Sequence, residues 1–330
     1  MKLTLEQIQS TAYGAVRIEE INGAIHFYRF TKAQEDLYSE TSADFYKKSF
    51  STAGVRLEFI TSSPFLSMEV EVMPASSRKY FSHDIYVNGT LKSSFGSQIT
   101  STGIFAHTCE LGEGEKTVCV YFPWSANSIL RRMELADGCT VVPVKKSCTM
   151  LMYGDSITQG YDAALTSQSY ASRLTDLLNA EAINRGIGGE CFFPTLASFS
   201  GNLDPDIITV AYGTNDWSKN KSFEIFEQNC AEFYGTLSRL YPKSKIFALT
   251  PIWRKDNDRI TSVGAFDSVS ETIERIAKSL PNVTVINGYD FVPHDSAFFY
   301  DLRLHPNDEG FAHYAEHLHT EIKKHLEEAL

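Results

Sequence analysis

The stretch Tyr153-Gly154-Asp155-Ser156-Ile157-Thr158-Gln159-Gly160 places a serine at a predicted turn between a strand and a helix. The apolar residues 150–152 before it indicate a buried strand, and residues 169–180 after it are predicted to form a helix. At such a turn, backbone N–H groups point outward and the helix dipole favours negative charge. A serine nucleophile needs N–H donors of this kind, because they hold the oxyanion that forms when it attacks a carbonyl.

The Gly-Asp-Ser motif by itself is a weak signal. The Gly-x-Ser-x-Gly elbow of the common α/β-hydrolases is not formed, because Thr158 stands where the second glycine would be. A polar turn in which Asp155 or Ser156 caps the next helix would contain the same residues. A catalytic interpretation therefore depends on the rest of the chain.

Composition and charge exclude several classes of function. The 330 residues suffice for two domains or one large one, and 43% hydrophobic residues can form ordinary cores. A net charge of -11 argues against nucleic acid and anionic membranes as partners, since both select basic surfaces. No apolar run reaches the roughly 18 residues that a transmembrane helix needs. The first residues contain no apolar signal core, so we expect a cytoplasmic protein.

Residues 1–145 are predicted to form an all-β, jelly-roll-like sandwich. Asn22-Gly23 and Asn88-Gly89 are typical two-residue hairpin turns. Residues 55–60 and 66–72 alternate apolar and polar side chains, as strands with one buried face do. We expect no helix longer than about two turns here, which favours a sandwich. Its aromatic side chains either fill the core or form a sugar-binding face.

Residues 146–330 are predicted to form a second domain of the α/β class. Predicted strands alternate with predicted helices, and this pattern indicates a parallel sheet with helices on both faces. The strands are expected at 147–153, 182–187, 206–212, 245–250 and 283–287, and the helices at 169–180, 223–240, 263–280 and 308–326. In such sheets, functional sites form beyond the carboxyl ends of the strands.

Four polar or glycine-rich segments are expected at that edge of the sheet. Three of them follow predicted strands, and the fourth lies between the last predicted strand and the last predicted helix. Their sequences are Gly154-Asp155-Ser156, Gly186-Ile187-Gly188-Gly189, Gly213-Thr214-Asn215-Asp216 and Asp301-Leu302-Arg303-Leu304-His305-Pro306. In the order and spacing of these blocks, residues 147–326 resemble the GDSL, or SGNH, hydrolase family. The resemblance implies a three-layer α/β/α fold, an esterase activity and no cofactor. The Asp301–His305 spacing is one residue longer than the usual Asp-x-x-His of that family.

The resemblance also assigns roles to individual residues. Ser156 would attack an ester carbonyl, and His305 would take the serine proton and return it to the leaving alcohol. Asp301 would orient His305 and stabilise its cation. The Ser156 N–H, the Gly189 N–H and the Asn215 side-chain amide would form the oxyanion hole.

Other side chains near the four turns keep alternative interpretations. Asp295 and Asp308 are fallback partners for His305, and a backbone carbonyl could also orient the ring. Trp217 and Trp253 follow strand ends, where they could stack on a sugar or simply pack. Asp216 is expected to hold its turn.

A second motif points to different chemistry. His313-Tyr314-Ala315-Glu316-His317 matches the His-x-x-Glu-His pattern of inverted zinc proteases. The six cysteines lack the Cys-x-x-Cys spacing of zinc or redox pairs. The helix that carries the motif must also cover the sheet with Phe311 and Leu318, so we expect no metal site.

We therefore expect a serine esterase that hydrolyses carboxylic esters with a small acyl group. Relatives with an added β-sandwich often deacetylate carbohydrates, so by analogy the substrate is a small-molecule or glycan ester. The alternatives are a lipid-directed esterase or lysophospholipase, and a thioesterase. A zinc hydrolase and a catalytically silent sugar-binding protein are two further alternatives.

Overall fold

The computed structural model describes residues 1–199 and 203–327, in two compact units. The first unit contains Met1–Lys146 and Ala164–Ser167, and the second contains the remainder of the chain. The first stretch of the first unit ends at Lys146, and the domain boundary between residues 145 and 146 stays a prediction. Within 1–199 and 203–327, no helix combines the length and apolar character needed to cross a membrane.

The first unit is a β-sandwich of two antiparallel sheets. The elements are α1 (Leu5–Thr11), β1 (Ala12–Tyr13), β2 (Arg17–Ile21), β3 (Ala24–Tyr28), α2 (Lys32–Thr41), α3 (Ala43–Ser49), β4 (Arg56–Thr61), β5 (Phe65–Pro74), β6 (Phe81–Val87), β7 (Thr90–Ser97), β8 (Gly103–Glu110), β9 (Lys116–Tyr121), β10 (Ala126–Leu135) and β11 (Val142–Pro143). One sheet has the order β1-β4-β9-β6-β7 with β11 beside β4, and the other has the order β2-β3-β10-β5-β8. Apolar side chains from both sheets form one core cluster.

Local sequence signals explain these strands. Both predicted hairpin turns are confirmed, with positive φ at Asn22 and Gly23 between β2 and β3 and at Asn88 and Gly89 between β6 and β7. Burial alternates along β5 from Leu66 to Val72, as its sequence predicts. The expectation of no helix beyond about two turns is wrong, because α2 has 10 residues. Most of those residues are polar, so hydrophobic periodicity did not reveal the helix.

The short segment 164–167 returns to the sandwich. The Thr166 N–H donates to the Ser82 Oγ at 3.0 Å, and the Ser167 N–H donates to the Asp84 carboxylate at 2.8 Å. These contacts join residues more than 80 positions apart, so no local pattern predicts them.

The second unit is built on a five-stranded parallel sheet within the described residues. The elements are β12 (Cys148–Gly154), α4 (Ser156–Gln159), α5 (Tyr170–Leu177), β13 (Ala180–Gly186), α6 (Pro194–Ala197), β14 (Ile207–Ala211), α7 (Thr214–Lys219), α8 (Phe223–Leu240), β15 (Lys245–Leu249), α9 (Phe266–Ala277), β16 (Val283–Ile286) and α10 (Asp308–Glu327). The strand order in the sheet is β13-β12-β14-β15-β16, which confirms the predicted α/β class.

The direction of the crossovers places helices on both faces of this sheet. The chain moves from β12 to β13 through α5, and in the opposite direction from β14 to β16 through α8 and α9. Since parallel crossovers are right-handed, opposite directions put helices on opposite faces. In agreement, α5 contacts α10 and α8 contacts α9. The reversal of direction lies between β12 and β14, at the carboxyl ends where such folds place ligands.

Candidate active site

Ser156 lies at this point of reversal, as the first residue of α4 directly after β12. Asp155 caps the short helix, because its Oδ1 accepts the Ile157 N–H at 2.9 Å. The Asp155 side chain is buried, and burial raises its pKa to about 6. The capping role considered for Asp155 and a catalytic role for Ser156 are therefore compatible.

Ser156 and His305 are in direct contact. The Ser156 Oγ lies 2.8 Å from the His305 Nε2, although 149 positions separate the two residues. On the other side of the ring, the Nδ1 lies 3.0 Å from the Asp301 Oδ2. The His305 side chain is 15% exposed, so it is shielded while still within reach of a substrate. A hydroxyl in contact with an imidazole that a carboxylate holds is the geometry that a serine nucleophile and its general base require.

The longer Asp301–His305 spacing is accommodated by a loop rather than by a helical turn. The second carboxylate oxygen of Asp301, Oδ1, accepts the N–H groups of Arg303, Leu304 and His305 at 3.0, 2.7 and 3.1 Å. Leu302 provides the bend, with a φ of 58°. One carboxylate thus orders the loop with Oδ1 and contacts the imidazole with Oδ2.

Neither fallback residue takes this position. The Asp295 carboxylate accepts the Ala297 N–H, and Asp308 lies in the first turn of α10.

A second carboxylate, that of Asp162, also reaches the imidazole. Its Oδ2 lies 3.2 Å from the His305 Nδ1, and its side chain is fully buried. Asp162 has a φ of 73°, a conformation that asparagine and aspartate tolerate better than most residues. No motif in the sequence singles out Asp162. The available signal was an acidic residue six positions after Ser156.

The two carboxylates determine the basicity of His305. Burial lowers the pKa of His305, but the hydrogen bonds to Asp162 and Asp301 and the charges of both raise it by more. The net effect is a pKa above the ordinary value of 6.5. For Asp301, burial opposes ionisation, but the hydrogen bonds from His305 and the backbone hold its pKa far below the usual value.

This raised pKa predicts a specific pH dependence. Only the neutral imidazole can accept the serine proton, so kcat/KM should rise with pH through an apparent pKa above 6.5. A pH profile of kcat/KM on a neutral ester measures this acid limb. A limb centred at or below pH 6.5 would contradict the charge arrangement described for His305.

The glycine-rich turn after β13 is fixed against α4. Gly188 donates its N–H to the Gln159 Oε1 at 2.7 Å, and Asn184 donates to the Thr158 carbonyl at 2.6 Å. Gly186 cannot carry a side chain, because a Cβ would lie 2.3 Å from the Gln159 nitrogen. Gly189, the last residue of this turn, has a φ of 92°, a backbone conformation that favours glycine.

The turn after β14 is tied to this glycine-rich turn. The Asn215 Nδ2 donates to the Glu190 carbonyl at 3.1 Å. The buried Asp216 accepts the N–H groups of Phe192 and Gly213, each at 3.1 Å, and burial raises its pKa to about 7. Asp216 thus holds its turn, as expected. The hydrogen bonds connect the elements that carry Ser156, Gly189 and Asn215 at one edge of the sheet.

The structure does not support substrate contact by Trp217. This side chain is completely buried, and its Nε1 donates to the Gly264 carbonyl at 3.0 Å. No sugar ring can stack on it. Trp253 is half-buried, with its ring stacked on His294, and its substrate contact stays a prediction.

The histidines of the zinc-protease pattern make other contacts. The His317 Nδ1 lies 3.1 Å from the Phe291 carbonyl, and the His313 ring packs edge-on against Phe298. A grouping that could hold a cation is formed by Asp162, Asp301 and His305, whose ligand atoms lie within 4.8 Å of one another. Hydrogen bonding of one Nδ1–H to two carboxylates already accounts for that geometry.

Comparisons with known proteins agree with this architecture. Residues 152–313 match the GDSL-like lipase/acylhydrolase family. No curated protein matches the sequence significantly. Similar solved structures include the salicylyl-acyltransferase SsfX3 from a tetracycline biosynthetic pathway, with a TM-score of 0.82 and 20% identity over 95% of this chain and 94% of that one.

Two carbohydrate esterases are also similar in structure. A family two carbohydrate esterase from Cellvibrio japonicus has a TM-score of 0.68 and 17% identity, over 98% of this chain and 97% of that one. The acetyl xylan esterase Est2A from Butyrivibrio proteoclasticus has a TM-score of 0.59 and 16% identity, over 83% of this chain and 90% of that one. At these identities, the likeness establishes the fold.

Proposed function

Because the chain belongs, through residues 152–313, to the GDSL-like lipase/acylhydrolase family, we propose that it is a serine esterase that removes small acyl groups from carbohydrates. The observation that carries the proposal is the 2.8 Å contact between the Ser156 Oγ and the His305 Nε2. A serine hydroxyl near neutral pH is a poor nucleophile without an adjacent base. The His305 ring, held by carboxylates at Nδ1, supplies that base.

The reaction would proceed through an acyl-enzyme. The Ser156 Oγ attacks the ester carbonyl carbon while its proton passes to the His305 Nε2. The tetrahedral intermediate collapses, the bond to the alcohol oxygen breaks, and His305 returns the proton to the leaving alcohol. A water molecule then attacks the acyl-enzyme, with His305 again taking and returning one proton, which releases the acid and restores Ser156. Asp162 and Asp301 stabilise the imidazolium in both steps.

The oxyanion would be held by donors from three elements. The Ser156 N–H is at the start of α4, and the Gly189 N–H lies in the glycine-rich turn. Asn215 uses one amide hydrogen for the Glu190 carbonyl, so its second amide hydrogen can serve the oxyanion. Such donors act best when they are fixed before the reaction, and the network around Asp216 fixes this turn.

The substrate class draws support from the similar structures. Two of them are carbohydrate esterases, and the name of one specifies acetylated xylan. A third is a salicylyl-acyltransferase, and acyltransferases as a class pass the acyl group to an acceptor other than water. We therefore propose acetyl esters of sugars as substrates, with hydrolysis as the main outcome.

A series of p-nitrophenyl esters from acetyl to dodecanoyl tests the acyl length. We expect the highest kcat/KM on the acetyl ester and a decline with longer chains. A maximum at long chains would favour a lipid-directed esterase instead. Transfer to an added alcohol in preference to water would favour an acyltransferase. Acetylated xylose and glucose are the next substrates to compare.

A further inference from the structure

Three arginines meet around one aspartate in the second unit. Arg254 pairs with the Asp256 carboxylate through Nε at 2.7 Å and Nη2 at 3.2 Å. Arg259 reaches the same carboxylate at 2.9 Å, and Arg303 reaches it at 3.8 Å. Arg254, Arg259 and Arg303 are called the arginine cluster below.

The arginine cluster has more positive than negative charge. Burial alone would raise the pKa of Asp256, but the hydrogen bonds and charges of the arginines lower it, so the carboxylate is ionised. Among the ion pairs of the cluster, one carboxylate faces three guanidinium groups, so two positive charges are unbalanced within these pairs. This excess is unusual for a chain with 41 acidic and 30 basic residues. The two outer guanidiniums are accessible, since Arg259 and Arg303 are 58% and 53% exposed.

The arginine cluster packs on the buried side chain of Trp217. Arg254 is buried, and its guanidinium lies 4.8 Å from the centre of the Trp217 ring. Arg259 lies 5.7 Å from the same ring. Guanidinium groups over an indole face are attracted by its π electrons. The buried Trp217, which cannot touch a sugar, therefore supports the arginines.

Two residues of the cluster are tied to segments of the candidate active site. The Arg254 Nη1 donates to the Thr214 Oγ1 at 2.9 Å, and Thr214 precedes the proposed oxyanion donor Asn215. Arg303 lies two residues before His305, and its carbonyl accepts the Lys255 N–H at 3.0 Å. The buried Arg254 thus contacts the turn that carries Asn215, and the exposed Arg303 lies in the loop between Asp301 and His305.

We propose that Arg259 and Arg303 form an anion subsite, so that the preferred substrate is an ester of a sugar that carries a carboxylate or phosphate group. This rests on the proposed function for the cleaved bond, but the recognition of the anion is a separate property. Planar guanidinium groups bind carboxylates and phosphates through paired hydrogen bonds, which gives both attraction and orientation. A neutral sugar ester would make no use of the two unbalanced charges.

The test compares kcat/KM for three acetylated methyl glucosides that differ only at C6. They carry a carboxylate, a carboxamide or a phosphate monoester. We expect a preference of about tenfold or more for at least one charged probe over the carboxamide. The double variant Arg259→Gln/Arg303→Gln should bring this ratio close to one. The preference in wild type should also fall as salt rises from about 0.05 to about 0.5 M, because salt screens exposed charges.

The matched control is Arg239→Gln. Arg239 is an exposed arginine at the end of α8, before the amino end of β15 and thus at the opposite edge of the sheet. The Arg239→Gln variant should keep the wild-type ratio of kcat/KM between the charged probes and the carboxamide probe. A ratio near one in wild type, or an unchanged ratio in the double variant, overturns the anion subsite.

A binding measurement separates this proposal from the proposed function. Free glucuronate and glucose 6-phosphate are titrated calorimetrically into wild type, the double variant and Arg239→Gln. The subsite is supported if the double variant binds either anion more weakly while Arg239→Gln binds it like wild type. This result would count even if no ester is cleaved. Equal binding by all three proteins overturns it. Hydrolysis of the carboxamide probe that survives Ser156→Ala contradicts the serine mechanism and leaves the subsite standing.

Discussion

Ser156→Ala is expected to lower kcat on an acetyl ester by about 10⁴–10⁶-fold without unfolding the protein. The substitution removes the atom that would form the acyl-enzyme, and the remaining donors can only polarise the carbonyl. The hydroxyl contacts the His305 ring, and the Asp155 cap that orders α4 is unaffected. The measurement is kcat on p-nitrophenyl acetate, with circular dichroism and thermal unfolding of the same samples.

Ser279→Ala is the control for the first prediction. Ser279 is an exposed serine after α9, and its hydroxyl donates to the Ile276 carbonyl. The Ser279→Ala enzyme should hydrolyse p-nitrophenyl acetate with the kcat of wild type. Wild-type turnover by a folded Ser156→Ala enzyme would disprove the whole serine mechanism, including the roles of His305 and the oxyanion donors.

Removing both carboxylates at His305 is expected to lower kcat by about 10⁴-fold, while each single replacement costs about ten- to a thousand-fold. In Asp301→Asn, the Asp162 carboxylate still lies 3.2 Å from the Nδ1 and can accept its hydrogen bond. In Asp162→Asn, the Asp301 carboxylate does the same from 3.0 Å. The double variant Asp162→Asn/Asp301→Asn has no carboxylate to hold the productive tautomer or the imidazolium.

The pH profile distinguishes a loss of the carboxylates' effect on His305 from a general loss of structure. Each carboxylate raises the pKa of His305, so each single variant should shift the acid limb of kcat/KM to lower pH, and the double variant should shift it furthest. Asp267→Asn, an exposed change on α9, should leave the limb in place. If Asp301→Asn alone lost as much activity as the double variant, Asp162 would have no part in positioning the ring.

The two carboxylates differ in what else they do. Asp301 is 27% exposed and also orders its loop through three backbone N–H groups. Asp162 is fully buried, and the segment after Ala163 returns to the sandwich. Loss of Asp301 should therefore disturb the loop between Asp301 and His305 as well as the hydrogen bond to the imidazole.

Sequence alone predicted the features that depend on short-range physics. The positive φ values that Asn-Gly pairs tolerate predicted both hairpins, and the two-residue period predicted strand β5. The alternation of apolar strands with amphipathic helices predicted the parallel sheet. Because parallel strands end at the same edge, the turns that contain Ser156 and Gly189 were expected near each other, and their hydrogen bonds connect them.

Other features could not be read from local patterns. Helix α2 is polar over most of its length, and its sequence has little hydrophobic period to detect. Trp217 follows a strand end, where a pocket residue is expected. Its burial depends on contacts with Arg254 and Gly264, which lie far from it in the sequence. Burial of an aromatic residue is set by neighbours far away in sequence, so position after a strand does not decide it.

The sequence by itself determined the two kinds of architecture and the chemical groups available at one edge of the parallel sheet. Only the tertiary structure decided which groups meet: the second carboxylate at His305, 143 positions from Asp162, and the three arginines around Asp256. Secondary structure follows from periodicity and turn chemistry within about ten residues. The electrostatics of a site depend instead on distances between side chains that the fold brings together, and those distances have no local signature.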